Sequence, residues 1–250
     1  MYQTPKIEIC VDNIESVITA NRLPIDRIEL CSALALGGLS PNFGLLQQAV
    51  EISTIPLAVM IRPRAGDFVF SPHEVNAMFD EIALCKALGV QHIVIGALTA
   101  QGEMDLETTK RLIDAADGME ITFHRAFDLC VDPFKALDQL IDLECQRILT
   151  SGQAQTAFEG IPLLRELVEK SAGCIQIMAG CGVNAENVHA ILRETQVPQL
   201  HFSAKGQRPS PYQATSSAVM GSSAEQDKWL EVLDYAKAGQ ILARIGKGLD

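Results

Sequence analysis

The chain has 250 residues, 48% of them hydrophobic and 20% charged: enough apolar material for one large core, and too little charge for disorder. Its formal net charge of −11 argues against nucleic acid or an anionic membrane as the main partner, because both recognise basic surfaces. The first residues lack the basic flank and apolar core of a secretory signal, and no apolar run approaches the ~18 residues of a membrane span.

Short β-branched runs alternate with amphipathic stretches at nearly even intervals. The runs are Lys6–Val11, Arg27–Cys31, Leu57–Ile61, His92–Ile95, Glu120–Phe123, Arg147–Leu149, Ile175–Met178 and Gln199–Phe202. Strands separated by helices predict parallel βα units, since parallel neighbours need a crossover. Eight such units predict one α/β domain, a closed (β/α)₈ barrel of TIM type over residues 1–250. An open doubly wound sheet is the alternative, but no G-x-G-x-x-G or Walker sequence accompanies it. Helix starts are marked at Ser40-Pro41, at the capping box Ser71-Pro72-His73-Glu74, at Asp132-Pro133 and at Asn184. Residues 205–226 break the rhythm, being rich in Ser, Ala, Pro and Gly. They read as a long loop over the barrel mouth, followed by a last helix through Trp229, Leu233 and Ala236.

The seven cysteines are scattered, odd in number and without a CxxC, so a reducing, cytoplasmic setting is expected. Two of them belong to a repeated pattern, Ile7-Glu8-Ile9-Cys10 and Ile28-Glu29-Leu30-Cys31. Strand side chains alternate faces, so outward isoleucines send both Glu–Cys pairs into the barrel. With similar registers Cys10 and Cys31 meet near the mouth, either as small packing groups or as a soft site for Cu(I).

Buried Glu8 and Glu29 need partners, and Arg62 and Arg64 at the end of the third strand are candidates, just before Asp67. The same arginines could instead bind an anionic ligand. The fifth strand ends in His124-Arg125-Ala126-Phe127-Asp128, which offers an acid/base, an anion clamp and an orienting carboxylate. Thr150 and Ser151 after the sixth strand, Gly180 and Gly182 after the seventh, and His201 and Ser203 at the eighth complete the mouth. Small residues there leave backbone N–H groups free to approach an oxyanion.

Five segments in this order make the sequence recognisable. They are Glu8-Ile9-Cys10-Val11-Asp12, Arg27-Ile28-Glu29-Leu30-Cys31, Met60-Ile61-Arg62-Pro63-Arg64-Ala65-Gly66-Asp67-Phe68, Thr122-Phe123-His124-Arg125-Ala126-Phe127-Asp128 and Arg147-Ile148-Leu149-Thr150-Ser151-Gly152. With them the chain resembles the CutC copper-homeostasis family over nearly its whole length. The resemblance implies a cytosolic TIM-like barrel, self-associated as a homodimer, with Cu(I) bound by Cys10 and Cys31. It also marks a departure, since the family commonly has a glycine run where this chain has Gly180-Cys181-Gly182.

Two functions follow. One is a Cu(I)-binding protein that uses Cys10 and Cys31. The other is an enzyme acting on a small anion, with Glu8, Glu29, Asp67, His124 and Asp128 as acid/base candidates. Arg62, Arg64, Arg125, Thr150, Ser151, Gly180, Gly182, His201 and Ser203 would then be its ligand-binding candidates.

Overall fold

Eight short strands of mostly buried residues each meet two neighbours: β1 Lys6–Val11, β2 Arg27–Leu30, β3 Leu57–Met60, β4 His92–Ile95, β5 Glu120–Phe123, β6 Arg147–Thr150, β7 Gln176–Ala179 and β8 Gln199–Phe202. All neighbours are parallel, and β8 returns to pair with β1, so the sheet closes into a barrel with helices crossing between strands on its outside. The computed structural model describes residues 4–212, 218, 219, 221 and 223–248.

Alternation along the strands creates two separate apolar regions. Ile7, Ile9, Val11, Ile28 and Leu30 face outward into the large core beneath the helices. Cys31, Ala58, Met60 and Val94 form a small cluster of their own within the barrel. Between these inward apolar groups lie buried Glu8, Arg27, Glu29 and His201.

The register is staggered. Glu8 lies opposite Arg27 and Cys10 opposite Glu29, so Cys31 sits two residues further along β2 than the partner of Cys10. Strands of a closed barrel tilt and shift against their neighbours, which sequence alternation alone does not reveal.

Most helix starts follow the sequence cues. The side chain of Ser71 accepts from Glu74 N–H and that of Glu74 accepts from Ser71 N–H, a complete capping box, and Asp132 caps the helix Pro133–Asp142. Two caps shift. Asn42, not Ser40, caps Phe43–Ile52, while the Ser40 hydroxyl accepts from Arg62 N–H and donates to Glu81. Asn184 caps the turn before Val188–Thr195, accepting from Glu186 and Asn187 N–H.

The largest departure lies after β8. Residues 205–209 are not loop and residues 229–233 are not helix: β9 Lys205–Pro209 and β10 Trp229–Leu233 pair as an antiparallel ribbon. The aromatic and β-branched content of Trp-Leu-Glu-Val-Leu favours a strand, and Asp234 then caps the last helix, Tyr235–Arg244. The ribbon is fastened to the first helix, Ile14–Ala20. The Ser16 hydroxyl accepts from Leu233 N–H at 2.9 Å, and Arg208 pairs with both oxygens of Glu15 at 2.7–2.9 Å. Of the expected loop over the mouth, residues 213–217, 220 and 222 lie outside the described residues.

Candidate functional site

A cavity of about 510 Å³ opens at the C-terminal ends of the strands, with Cys10, Glu29, Arg62, His124, Asp128 and His201 in its wall. A larger recess of about 1010 Å³ opens at the opposite end, where Lys6, Glu120, Arg147 and Gln199 begin their strands. Arg147 there is committed to Glu120, to the Thr122 hydroxyl at 3.1 Å and to His92 at 3.1 Å. Among the described residues no unpartnered buried side-chain atom lies in that recess, so the mouth cavity is the candidate site.

Beneath the mouth, Glu8 is fully buried and pairs with two groups. Arg27 donates to one oxygen, and His201 Nδ1 lies 2.7 Å from the other. Arg27 reaches on to the Gln199 side-chain oxygen at 3.0 Å. Burial alone would raise the Glu8 carboxyl, but Arg27 and His201 outweigh it and hold the group well below the usual carboxylate range. Burial likewise opposes charge on His201, yet Cys10, Glu29 and Glu8 around it keep the ring well above the ordinary histidine range. His201 Nε2 then faces Glu29 Oε2 at 3.8 Å. Glu29 is raised, first by burial and then by the neighbouring Glu8 charge, while His201 pulls the other way.

Cys10 Sγ, a Glu29 oxygen and a His201 nitrogen all lie within 4.8 Å of one another. Cys31 stands behind this group rather than in the cavity wall: it is fully buried and donates to Glu29 Oε2 at 3.4 Å. Burial, with Glu29 and Cys10 beside it, pushes the Cys31 thiol far up.

The arginines expected to neutralise the glutamates do not reach them. Arg62 donates instead to the Leu36 and Gly38 carbonyls of the loop after β2 and to the Gly66 carbonyl of its own loop, at 2.8–3.2 Å. Arg64 turns away from the cavity to Glu74 at 2.5 Å and to the exposed Asp67 at 2.9 Å. Those two acids explain why Arg64 and Asp67 are not gathered at the site. The partner of Glu8 is Arg27, which the alternation Arg27, Glu29, Cys31 places on the same inward face when it is followed one step back.

His124 and Asp128 do line the cavity. His124 is buried, and burial together with the Arg62 charge drives its ring down to about 3. Asp128 gathers the loop after β6. It accepts from Thr150 Oγ1 at 2.5 Å, Ser151 N–H at 3.0 Å and Gln153 N–H at 3.2 Å, and pairs with Arg125 at 2.8 Å. Thr150 and Ser151 therefore support Asp128, and the amides of Ser151, Gly152 and Gln153 after β6 are already filled. Gly180 packs on His201, where an added Cβ would stand 2.6 Å from Leu149 and 3.2 Å from His201. Gly182 and Ser203 lie in the cavity wall beside Cys181, which holds a left-handed φ of 81° that suits glycine better. The Cys181 thiol donates to the Gln155 carbonyl at 3.1 Å.

The CutC family model matches residues 5–206. The chain belongs to the CutC family. A CutC relative from Glaesserella parasuis is 63% identical over 240 residues, covering 96% of this chain and 98% of the relative. One from Pasteurella multocida is 49% identical, covering 97% of this chain and 99% of its own length. The solved structure of CutC from Streptococcus agalactiae, a copper homeostasis protein by name, is 36% identical with a TM-score of 0.76, covering 81% of this chain and 99% of that one. The family match thus spans all eight barrel strands and every mouth residue named above, and ends within β9.

Proposed function

We propose that this member of the CutC family serves copper homeostasis by binding Cu(I) in the barrel mouth. The observation that carries the reading is the convergence of Cys10 Sγ, His201 and Glu29 within 4.8 Å. Thiolate and imidazole suit a soft monovalent ion, and the carboxylate can close the site as a harder third neighbour. His201 is already oriented as a ligand. Glu8 holds its Nδ1 and leaves Nε2 toward the site, the carboxylate–histidine arrangement common behind metals. Binding would displace the proton on His201 Nε2. Of the cysteine pair, Cys10 is the direct ligand in this reading. Cys31 enters only when Glu29 gives up its hydrogen bond, because the register sets it two residues away.

The seven free cysteines support a reducing cytoplasmic setting. We also propose a homodimer, on the strength of the family.

Competitive Cu(I) titration under reducing conditions tests the site. Cys10→Ser and His201→Gln should each cost more than the ~10–100-fold that losing an outer-shell partner costs, and Glu8→Gln should fall within that range. Cys31→Ser should cost less than Cys10→Ser. Unchanged affinity in Cys10→Ser would remove the metal site.

A further inference from the structure

Three buried side-chain atoms without a hydrogen-bond partner belong to residues of the mouth cavity: Glu29 Oε1, Arg62 Nε and His124 Nε2. Among the described residues the only other is Thr109 Oγ1, on the outer helix Leu106–Ala116. Two of the three are donors, and they stand together. His124 Nδ1 accepts Ala126 N–H at 3.1 Å, so the ring proton is on Nε2. Arg62 gives three of its four terminal N–H groups to carbonyls, and its Nε–H has no partner. Both side chains rest on Phe68, whose ring centroid is 4.8 Å from that of His124 and 4.6 Å from the Arg62 guanidinium carbon. Arg62 and His124 are only 5% and 3% exposed, and buried donors in folded proteins are almost always paired.

We propose that Arg62 Nε–H and His124 Nε2–H together bind the carboxylate of a small organic acid in this cavity. Two single donors match the two oxygens of a carboxylate. Phosphate is the poorer fit, because its further oxygens would need donors beyond these two and Asp128 already fills the Ser151 and Gln153 amides after β6. The acid carries an apolar portion, since Leu34, Leu36, Met60 and Leu149 form the wall beside the donors. A cavity of about 510 Å³ is in the range that holds a small molecule. Half-buried Phe68 packs against both side chains, so a ligand that meets the two donors must displace that ring. Neither donor belongs to the Cys10–Glu29–His201 group, so the carboxylate site is separate from the copper site.

The test uses the full chain labelled with ¹⁵N-histidine, reduced and kept metal-free with a chelator. Acetate, butyrate, benzoate, 3-phenylpropionate and inorganic phosphate are titrated in turn. The His124 Nε2–H resonance should shift saturably with at least one carboxylate larger than acetate, and not with phosphate at the same concentration. By calorimetry, Arg62→Met and His124→Phe should each weaken that carboxylate at least tenfold, while Arg64→Met should leave it unchanged. If Arg62→Met does not fold, the parent resonance and His124→Phe decide the matter. No shift with any carboxylate, a larger shift with phosphate, or unaltered affinity in His124→Phe overturns the assignment. Loss of the Cu(I) site in the separate titration would leave these results untouched.

Discussion

His124 shows what a buried donor costs a fold and what it leaves available. Burial and the Arg62 charge lower its ring to about 3, against an ordinary histidine value of 6.5. Between those values the unfolded chain takes up a proton that the folded chain refuses, so stability falls as the pH drops below about 6.5. From pH 6.5 to pH 5 the parent should lose about 1.6 kcal/mol more than His124→Phe, because the unfolded ring is already half protonated at the upper pH. Urea unfolding of both proteins at the two pH values measures it, and equal losses would show a ring that titrates freely. The position of His124 at a strand end was readable from its neighbours Arg125 and Asp128. Its unpartnered nitrogen was not, because that depends on where Ala126 N–H and Phe68 come to lie.

At the scale of strands, the decisive feature is how β8, β1 and β2 line up. Their register sets His201, Glu8 and Arg27 side by side in the barrel, so one carboxylate serves two cations. Glu8→Gln should destabilise the protein by about 3 kcal/mol, because it leaves the buried Arg27 without its counter-charge. Glu15→Gln, which breaks the exposed pair with Arg208, should cost no more than about 1 kcal/mol. Matching urea midpoints for the two variants would mean that the interior pair adds no more to stability than the exposed one. Alternation within a strand could be read without a structure, and so the inward faces of Glu8, Cys10, Glu29 and Cys31 were expected. The stagger between strands could not be read, because it arises from barrel closure. In register Cys10 therefore lies opposite Glu29, and Cys31 comes two residues further on. The ribbon escaped for a different reason: Trp229–Leu233 carries no turn signal tying it to Lys205–Pro209 some twenty residues earlier.

On the scale of the whole molecule, the ribbon presents exposed large apolar groups that a second copy could cover. Trp229 and Leu230 are each 41% exposed on β10. If two copies meet there, light scattering at micromolar concentration should report a dimer for the parent and a monomer for Trp229→Ser/Leu230→Ser. A parent that scatters as a monomer would remove the dimer, and a variant that remains dimeric would move the contact elsewhere. The closed sheet has a further consequence, in time rather than in space. Every barrel strand is hydrogen-bonded on both sides, so its amides should exchange with solvent only through large openings of the whole domain. The strands of the ribbon pair on one side each, so the ribbon should open without disturbing the barrel strands. Cys10, Glu29 and His201 thus keep one geometry for the lifetime of the folded chain. Lys205, in the same cavity wall, sits on that ribbon, and its amide should exchange sooner than those of the barrel strands.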